Sequence, residues 1–417
     1  MNIQSIKACE IIDSRGWPTV NCAVALASGV TGQASVPSGA SVGKHEAIEL
    51  RDGDKNRYAG KGVLQAVAKI NDVIASALCG TPADVANCDK KMCELDGTSN
   101  KSKLGANAIL AVSMAVARAQ ARAEGLQLFQ LIQRLANQKQ KRMPLAMFNI
   151  INGGVHASNN LSFQEFMIVP KVGDCFADQL QAAVVIYNEL KKQLSVAGLA
   201  TGVGDEGGFA PCFGDEKQPE EAALDFLVAA TEAAGFVPGK DIYFALDVAA
   251  SELYDEKKNI YVVSGTEMPA VQLIAFYKTL CKNYPIVSIE DGLAQDDWTG
   301  WQALTKGFGD TVQLVGDDIF VTNAARIQQG IEKKVANAVL IKPNQIGTVS
   351  ETLEAIALCQ QNNRNVVVSH RSGETNDNFI ADLAVGVGAE YLKAGAPARG
   401  ERVAKYNRLL AIENMQI

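Results

Sequence analysis

Six short apolar segments in the second half of the chain each run into a side chain that can do chemistry. IYFALD ends at Asp247, PIVSIE at Glu290, VQLVGD at Asp317, AVLIK at Lys342, NVVVSH at His370 and EYLK at Lys393. Asp247, Glu290 and Asp317 are hard oxygen donors, and a carboxylate set without cysteine or histidine selects Mg2+ or Mn2+ over zinc. They do not fall in one twelve-residue loop, which excludes an EF-hand. A lysine held near other cations and a metal can lose its proton and act as a base, and Lys342 is placed for that, with Lys393 as a cationic neighbour. Ordinary strand-end charges facing solvent, or carboxylates simply paired with Lys or Arg, would explain any one of these positions. Six in succession argue for convergence.

Convergence requires a scaffold. Each segment is Val- and Ile-rich and about four to six residues long, too short for a helix and suited to a buried strand. The ends recur about every 23 to 43 residues, room for a helix and two loops between strands. Closed into a barrel, such βα units bring all their strand ends to one face, where barrel enzymes keep their active sites.

Three loops add candidates. GVGDEGGFAP, from Gly202 to Pro211, sets Asp205 and Glu206 among four glycines and can present a carboxylate. VPSGASVG, from Val36 to Gly43, carries the hydroxyls of Ser38 and Ser41 and reads as a mobile lid or a surface turn. Arg371 and Ser372 follow His370 directly, an arginine and hydroxyl suited to clamping phosphate or carboxylate. Of the three histidines, His45, His156 and His370, His156 lies in NGGVHAS just after an expected strand.

The 417 residues suggest two or three domains. Apolar residues make up 47% and charged residues 20%, the balance of a globular chain rather than a disordered one. A net charge of -7 without a basic run disfavours nucleic acid and anionic membrane as partners. The longest apolar stretch, Ala108 to Ala117, is about half a membrane span and predicts a buried helix. The first residues lack a signal peptide's basic start and apolar centre, which predicts a cytoplasmic protein. Nine cysteines without a CxxC pair read as reduced thiols; Cys88 and Cys93 lack a second pair to complete a zinc site.

Along the chain, IKACEII and TVNCAVAL predict a small antiparallel sheet within residues 1–60. Helical periodicity follows at 63–78 and 107–131, with breaks at Gly80 and Gly125. QRLANQKQKRMP reads as a linker, so a capping domain over 1–134 and a catalytic domain over 135–417 are expected. PLAMFNIING and SFQEFMIVP then open the second domain as strands, with helices near 176–197 and 219–235 before the βα series starts at Ile242.

From end to end the chain resembles the enolase family. The resemblance rests on DSRGWPTV, VPSGASVGKHEA, ELRDGD, ELDGTSNKSKLGANAILAVS, NIINGGVHASNN, QEFMIVP, GVGDEGGFAP, SIEDGL, LVGDDIFVTN, LIKPNQIGT, VSHRSGET and RVAKYN. It implies an α/β fold, with a small N-terminal α+β domain followed by a TIM-like α/β barrel whose first connections depart from simple alternation. It also implies two Mg2+ ions per active site, a homodimer or larger homo-oligomer, and Mg-dependent interconversion of 2-phosphoglycerate and phosphoenolpyruvate.

Position by position, the resemblance makes Asp247, Glu290 and Asp317 ligands of the first Mg2+ and gives Ser41 a part in binding the second. It makes Lys342 the base and Glu206 the acid. Glu165 falls near the leaving hydroxyl, Gln164 and His156 contact substrate, and Arg371, Ser372 and Lys393 hold phosphate and carboxylate, with His370 in the same substrate-binding set. Trp17, Val42, Pro343 and Gly400 depart from the common family pattern, and none of them removes a catalytic group. A racemase or other lyase sharing the metal triad is disfavoured because the Glu206 loop, the SGAS loop and the HRSG turn match together. A purely binding or structural role on an inactive scaffold would show as a lost ligand or base.

Overall fold

The computed structural model describes residues 1–39, 43–139, 142–214 and 218–415. An antiparallel sheet opens the chain, formed by β1 (Ile3–Ile12), β2 (Pro18–Leu26) and β3 (Thr31–Ser35) in that order. Val20, Cys22, Val24 and Leu26 alternate onto its buried face, the period-two pattern of a half-covered sheet. The cover is the helix Ala106–Ala123, rich in alanine and buried along nearly its whole length. Small side chains let the backbones meet: a Cβ on Gly32 would lie 2.1 Å from the Ala115 carbonyl oxygen. That helix stops at Gly125, whose φ of 70° ends it, and Leu128–Leu135 forms a separate helix. The periodic stretch after Val63 is one helical run, Leu64 to Leu78, with a π turn over Lys69–Ile74. Sequence periodicity missed the helix Val85–Asp96, capped by Asp84 accepting from the Asn87 N–H.

The second half begins with β4 (Leu145–Asn152) and β5 (Glu165–Pro170), then the helices Phe176–Val196 and Pro219–Ala233, then β6 (Ile242–Asp247). Between β6 and the next barrel strand the sequence suggested only a helix with loops. The structure inserts a three-stranded meander, β7 (Tyr254–Asp255), β8 (Ile260–Val263) and β9 (Thr266–Met268), ahead of the helix Ala270–Asn283. Alternation in so short a stretch, YVVSGTEM, is a hairpin signal that the βα spacing obscured.

Regular βα units follow with β10 (Ile286–Glu290), β11 (Gln313–Gly316), β12 (Ala338–Ile341), β13 (Asn365–Ser369) and β14 (Tyr391–Lys393). The barrel closes in the order β10-β11-β12-β13-β14-β4-β5-β6. All neighbours are parallel except those of β5, which runs against both β4 and β6. Met147, Met167, Val169, Ala245, Val315, Ala338, Leu340 and Val367 fill the interior, so the barrel is a packed core and not a pore. Their neighbours in sequence, such as Phe148, Ile168 and Val368, face the outer helices.

The two halves join at the barrel's C-terminal face. Ser38 and Gly373 exchange backbone hydrogen bonds of 2.7 and 2.8 Å. A Cβ on Gly373 would come within 2.6 Å of both the Asp13 carboxylate and the Ser38 carbonyl oxygen. Ser38 is therefore buried at this junction, its hydroxyl donating to Glu49 at 3.1 Å. Among the described residues, no helix is long and apolar enough to cross a membrane.

Candidate active site

Strand direction explains which side chains reach the mouth. Asp247 and Glu290 close β6 and β10 and are in register, and Asp317 follows β11 directly. Because β5 runs backwards, its first residue, Glu165, pairs with Asp247 at the same rim. Lys342 follows β12 in extended backbone, its amide N–H accepted by the Thr322 hydroxyl at 2.9 Å, and Pro343 starts a short helix. Lys393 ends β14, and His370 follows β13. Glu206 arrives on the glycine-rich loop, which lies along β4 through the Ile151–Phe209 bridge.

One cleft is lined by His156, Gln164, Glu165, Glu206, Asp247, Asp317, Lys342, His370, Arg371, Ser372 and Lys393. Glu290 is buried just behind it, on Lys393. Thus every site residue expected from the sequence comes together except Ser41, which with Val42 lies outside the described residues.

Lys393 sits at the centre of the carboxylates. Its Nζ donates to Asp247 Oδ2 at 2.9 Å and to both Glu290 oxygens at 2.9 Å, with Glu165 Oε1 at 3.1 Å. Burial works against its charge, and Asp247, Glu165 and Glu290 outweigh burial and hold the ammonium well above the ordinary lysine range. Lys342 ion-pairs with Asp317 Oδ2, while Gln345 Nε2 donates to Asp317 Oδ1 at 2.9 Å. Burial again opposes the lysine charge, but Asp317 prevails and keeps Lys342 above its usual value. On the far side, Glu165 is pushed well above the usual carboxylate range by burial and the nearby Glu206.

Glu206 is held below that range although burial opposes it, because the imidazoles of His370 and His156, and Arg402 behind them, favour its ionised form. Asn149 Nδ2 donates to its Oε2 at 3.1 Å, His370 Nε2 stands 3.3 Å from the same oxygen, and His156 Nδ1 is 3.8 Å from Oε1. Burial pushes His370 down to about 3, so its ring is neutral and offers Glu206 an N–H dipole rather than a full charge. Glu165 and Glu206 titrate as a pair in which the proton favours Glu165.

The residues suit a hard divalent cation. Carboxylates dominate the lining, with Glu46, Glu165, Glu206, Asp247, Glu252, Asp291, Asp317 and Asp318 facing only Lys342, Arg371 and Lys393. Among the described residues Glu165 Oε2 is buried without a hydrogen-bond partner, and Glu290 is pushed well above the carboxylate range by burial and by Asp247 beside it. The oxygens of Asp247, Glu290 and Asp317 are divided in this structure between two ammonium groups, Lys393 and Lys342. Among the described residues, potential ligand atoms come within 4.8 Å of one another in two other groups, Asp291 with Asp317 and Asp318, and His156 with Glu165 and Glu206.

Two family models match the chain, "Enolase, N-terminal domain" over residues 3–132 and "Enolase, C-terminal TIM barrel domain" over residues 140–416. The chain belongs to the enolase family. It therefore carries the folds of both enolase domains, a small N-terminal domain with a strand sheet and a closed eight-stranded barrel.

Within this enolase framework several contributors escaped the sequence reading. Glu46 chelates the Arg371 guanidinium through contacts of 3.0 and 3.2 Å. Asp291 accepts the backbone N–H groups of Asp317 and Asp318 at 2.9 and 2.8 Å and so shapes the turn that presents Asp317. The doubled acids Glu290-Asp291 and Asp317-Asp318 were the available signal. Asn149, Gln345 and Arg402 had none in spacing alone. Of the departures from the common family pattern, Trp17 packs under the Lys61 ammonium, 4.0 Å from ring centre to nitrogen. Gly400 starts the last helix, where an added Cβ would lie 3.9 Å from Asn376 Oδ1, an ordinary contact.

Proposed function

We propose that this chain catalyses the Mg2+-dependent, reversible dehydration of 2-phospho-D-glycerate to phosphoenolpyruvate, a step of glycolysis and gluconeogenesis. The observation that carries the reading is the opposition of Lys342, after β12, to the Glu165–Glu206 pair at β5, four strands round the eight-stranded ring in a single cleft. A proton acceptor and a proton donor on opposite sides of a small acid are what an elimination needs.

Lys342 is the base that takes the C2 proton. It must be neutral to do so, which requires Asp317 to turn its carboxylate to another partner. Glu206 protonates the departing C3 hydroxyl, and the proton it delivers is the one the pair stores on Glu165, whose carboxyl lies within 4.8 Å and must pass that proton to Glu206 before the hydroxyl leaves. His156 and Gln164 contact substrate, while His370, Arg371, Ser372 and Lys393 hold its phosphate and carboxylate. Arg371 is pre-oriented for this by the Glu46 chelate, which leaves its planar fork little freedom to lose. Asp247, Glu290 and Asp317 would hold one Mg2+ and Ser41 would help hold a second. Bound there, the cations stabilise the negative charge that develops on the substrate carboxylate.

The same reading takes residues 1–134 as a capping domain and 135–417 as the catalytic domain of a cytoplasmic homodimer or larger homo-oligomer. Its net charge of -7 fits small-molecule rather than nucleic-acid or membrane partners. The test is the absorbance of phosphoenolpyruvate formed from 2-phosphoglycerate with and without Mg2+. Product only with Mg2+ is expected; no product at saturating Mg2+ rejects the reading.

A further inference from the structure

Arg402 lies in the last helix, Gly400–Glu413, and is one of the largest fully buried side chains of the molecule. A buried guanidinium is costly unless its donors are matched, so its acceptors show what it is held there for. Nη1 contacts His370 Nδ1 at 2.7 Å and the Arg371 carbonyl oxygen at 2.6 Å. Nη2 donates to the carbonyl oxygens of Ser372 at 2.6 Å and Asp205 at 3.1 Å, with the Ser14 hydroxyl at 3.4 Å. Glu401 Oε1 stands 3.4 Å from Nε. One side chain thereby ties three segments that build the cleft: the His370–Ser372 turn, the glycine-rich loop at Asp205, and the N-terminal Ser14.

The histidine contact carries the chemistry. A guanidinium has donors and no acceptor, so Nδ1 of His370 must present its lone pair. The ring proton then resides on Nε2, the nitrogen that faces Glu206 Oε2 at 3.3 Å. We propose that Arg402 is a positioning residue that fixes His370 in the Nε2–H tautomer and thereby sets the hydrogen-bonding environment of Glu206. The proposal rests on the acid role of Glu206 given above. Arg402 touches no reacting atom. It acts through His370 and through the backbone of the turn that carries Arg371 and Ser372.

With only three histidines in the chain, the tautomer is directly observable. The full-length protein labelled with 15N-histidine, in Mg2+, gives ring-nitrogen NMR signals, and His370→Gln identifies those of His370 by their loss. A bare Nδ1 and a protonated Nε2 are expected at neutral pH; a protonated Nδ1, or a charged ring, overturns the proposal. Arg402→Lys keeps the charge but offers one nitrogen where two served. The expected result is a His370 tautomer mixture and a loss in kcat of about 10-fold or more, the effect typical of groups that orient a primary contact, with KM changed far less. An unchanged His370 spectrum and kcat in a folded Arg402→Lys protein refute it, whereas lowered stability alone marks a merely structural arginine. If that variant does not fold, the unsubstituted protein's spectrum still decides the tautomer. Wild-type protein inert toward 2-phosphoglycerate but with Nε2 protonated would reject the reaction while supporting Arg402's hold on His370.

Discussion

Asp317 is the direct partner of the Lys342 ammonium, and the same carboxylate comes from a turn at the rim where Asp247 and Glu290 also end their strands. One residue thus has two possible loyalties, to the lysine and to a cation. When it holds the lysine, Lys342 keeps its proton; when it is drawn elsewhere, burial favours the neutral amine. Replacing Asp317 by Asn removes both functions. We expect kcat to fall by roughly 10²-fold or more and the Mg2+ concentration for half-maximal activity to rise. The far-ultraviolet circular dichroism should stay unchanged. Activity of Asp317→Asn that matches wild type at equal Mg2+ would sink this account.

Glu220 is fully buried away from the cleft, yet it bears on the loop that delivers His156 and Gln164. It accepts the Ser162 N–H at 2.9 Å and the Ser264 hydroxyl at 2.8 and 3.0 Å, tying that loop to the β7–β9 meander. Ser264 in turn donates its own N–H to Ser162 Oγ at 2.7 Å. Glu220→Ala leaves those donors unmatched, which should cost roughly 1–3 kcal/mol of stability and raise KM for 2-phosphoglycerate by a larger factor than it lowers kcat. Urea unfolding and steady-state kinetics on the one variant measure both. A loss confined to stability would separate the loop anchor from the site.

How much of this was legible in the sequence follows from strand direction. In parallel strands the last apolar residue precedes the mouth, so Asp247, Glu290, Asp317, Lys342, His370 and Lys393 announced themselves by position. Glu165 begins the one reversed strand, where the same rule points at the wrong end, and only the family resemblance marked it. The Glu46–Arg371 chelate joins residues 325 apart, and no periodicity encodes such a pairing. Arg402 occupies the buried stripe of an ordinary amphipathic helix, where an arginine reads as surface. Local pattern therefore revealed the scaffold and its rim, while the partners that orient the rim depend on tertiary packing.

The packing of the N-terminal helices on the barrel contains a titrating contact. Asp89, on the helix Val85–Asp96, accepts the N–H of Ser350 at 2.9 Å and its hydroxyl at 2.7 Å, at the start of the barrel helix Val349–Gln361. Burial pushes its carboxyl from 3.8 up to about 6 in the folded protein. The folded state thus binds this proton more tightly than the unfolded chain, so the associated stability is fully present below about pH 4 and is lost as pH rises through 6. From pH 5 to pH 8 the loss should be on the order of 1 kcal/mol. Asp89→Asn cannot titrate, so its stability relative to wild type should improve by that amount over the same interval. Urea denaturation of both proteins at the two pH values gives the difference, and a relative decline for the variant would show that Asp89 is not the group responsible.

The two proton-transfer groups can be told apart because they act at different moments. Lys342 is needed to remove the C2 proton, whereas Glu206 is needed only when the C3 hydroxyl leaves. If the deprotonated species can return to substrate, removal of C2 hydrogen is visible as exchange with solvent deuterium even when dehydration stops. Lys342→Ala should abolish both exchange and dehydration. Glu206→Gln should bring dehydration down by roughly 10²–10⁴-fold, the usual contribution of a general acid, while C2 exchange survives. Glu206 is almost wholly buried and Lys342 largely so, so circular dichroism must first show that each variant is folded. Deuterium incorporation into 2-phosphoglycerate in the presence of Mg2+, followed by proton NMR, then reads each step. Exchange that persists in Lys342→Ala and vanishes in Glu206→Gln would reverse the assignment, making the carboxylate the base and the lysine the acid.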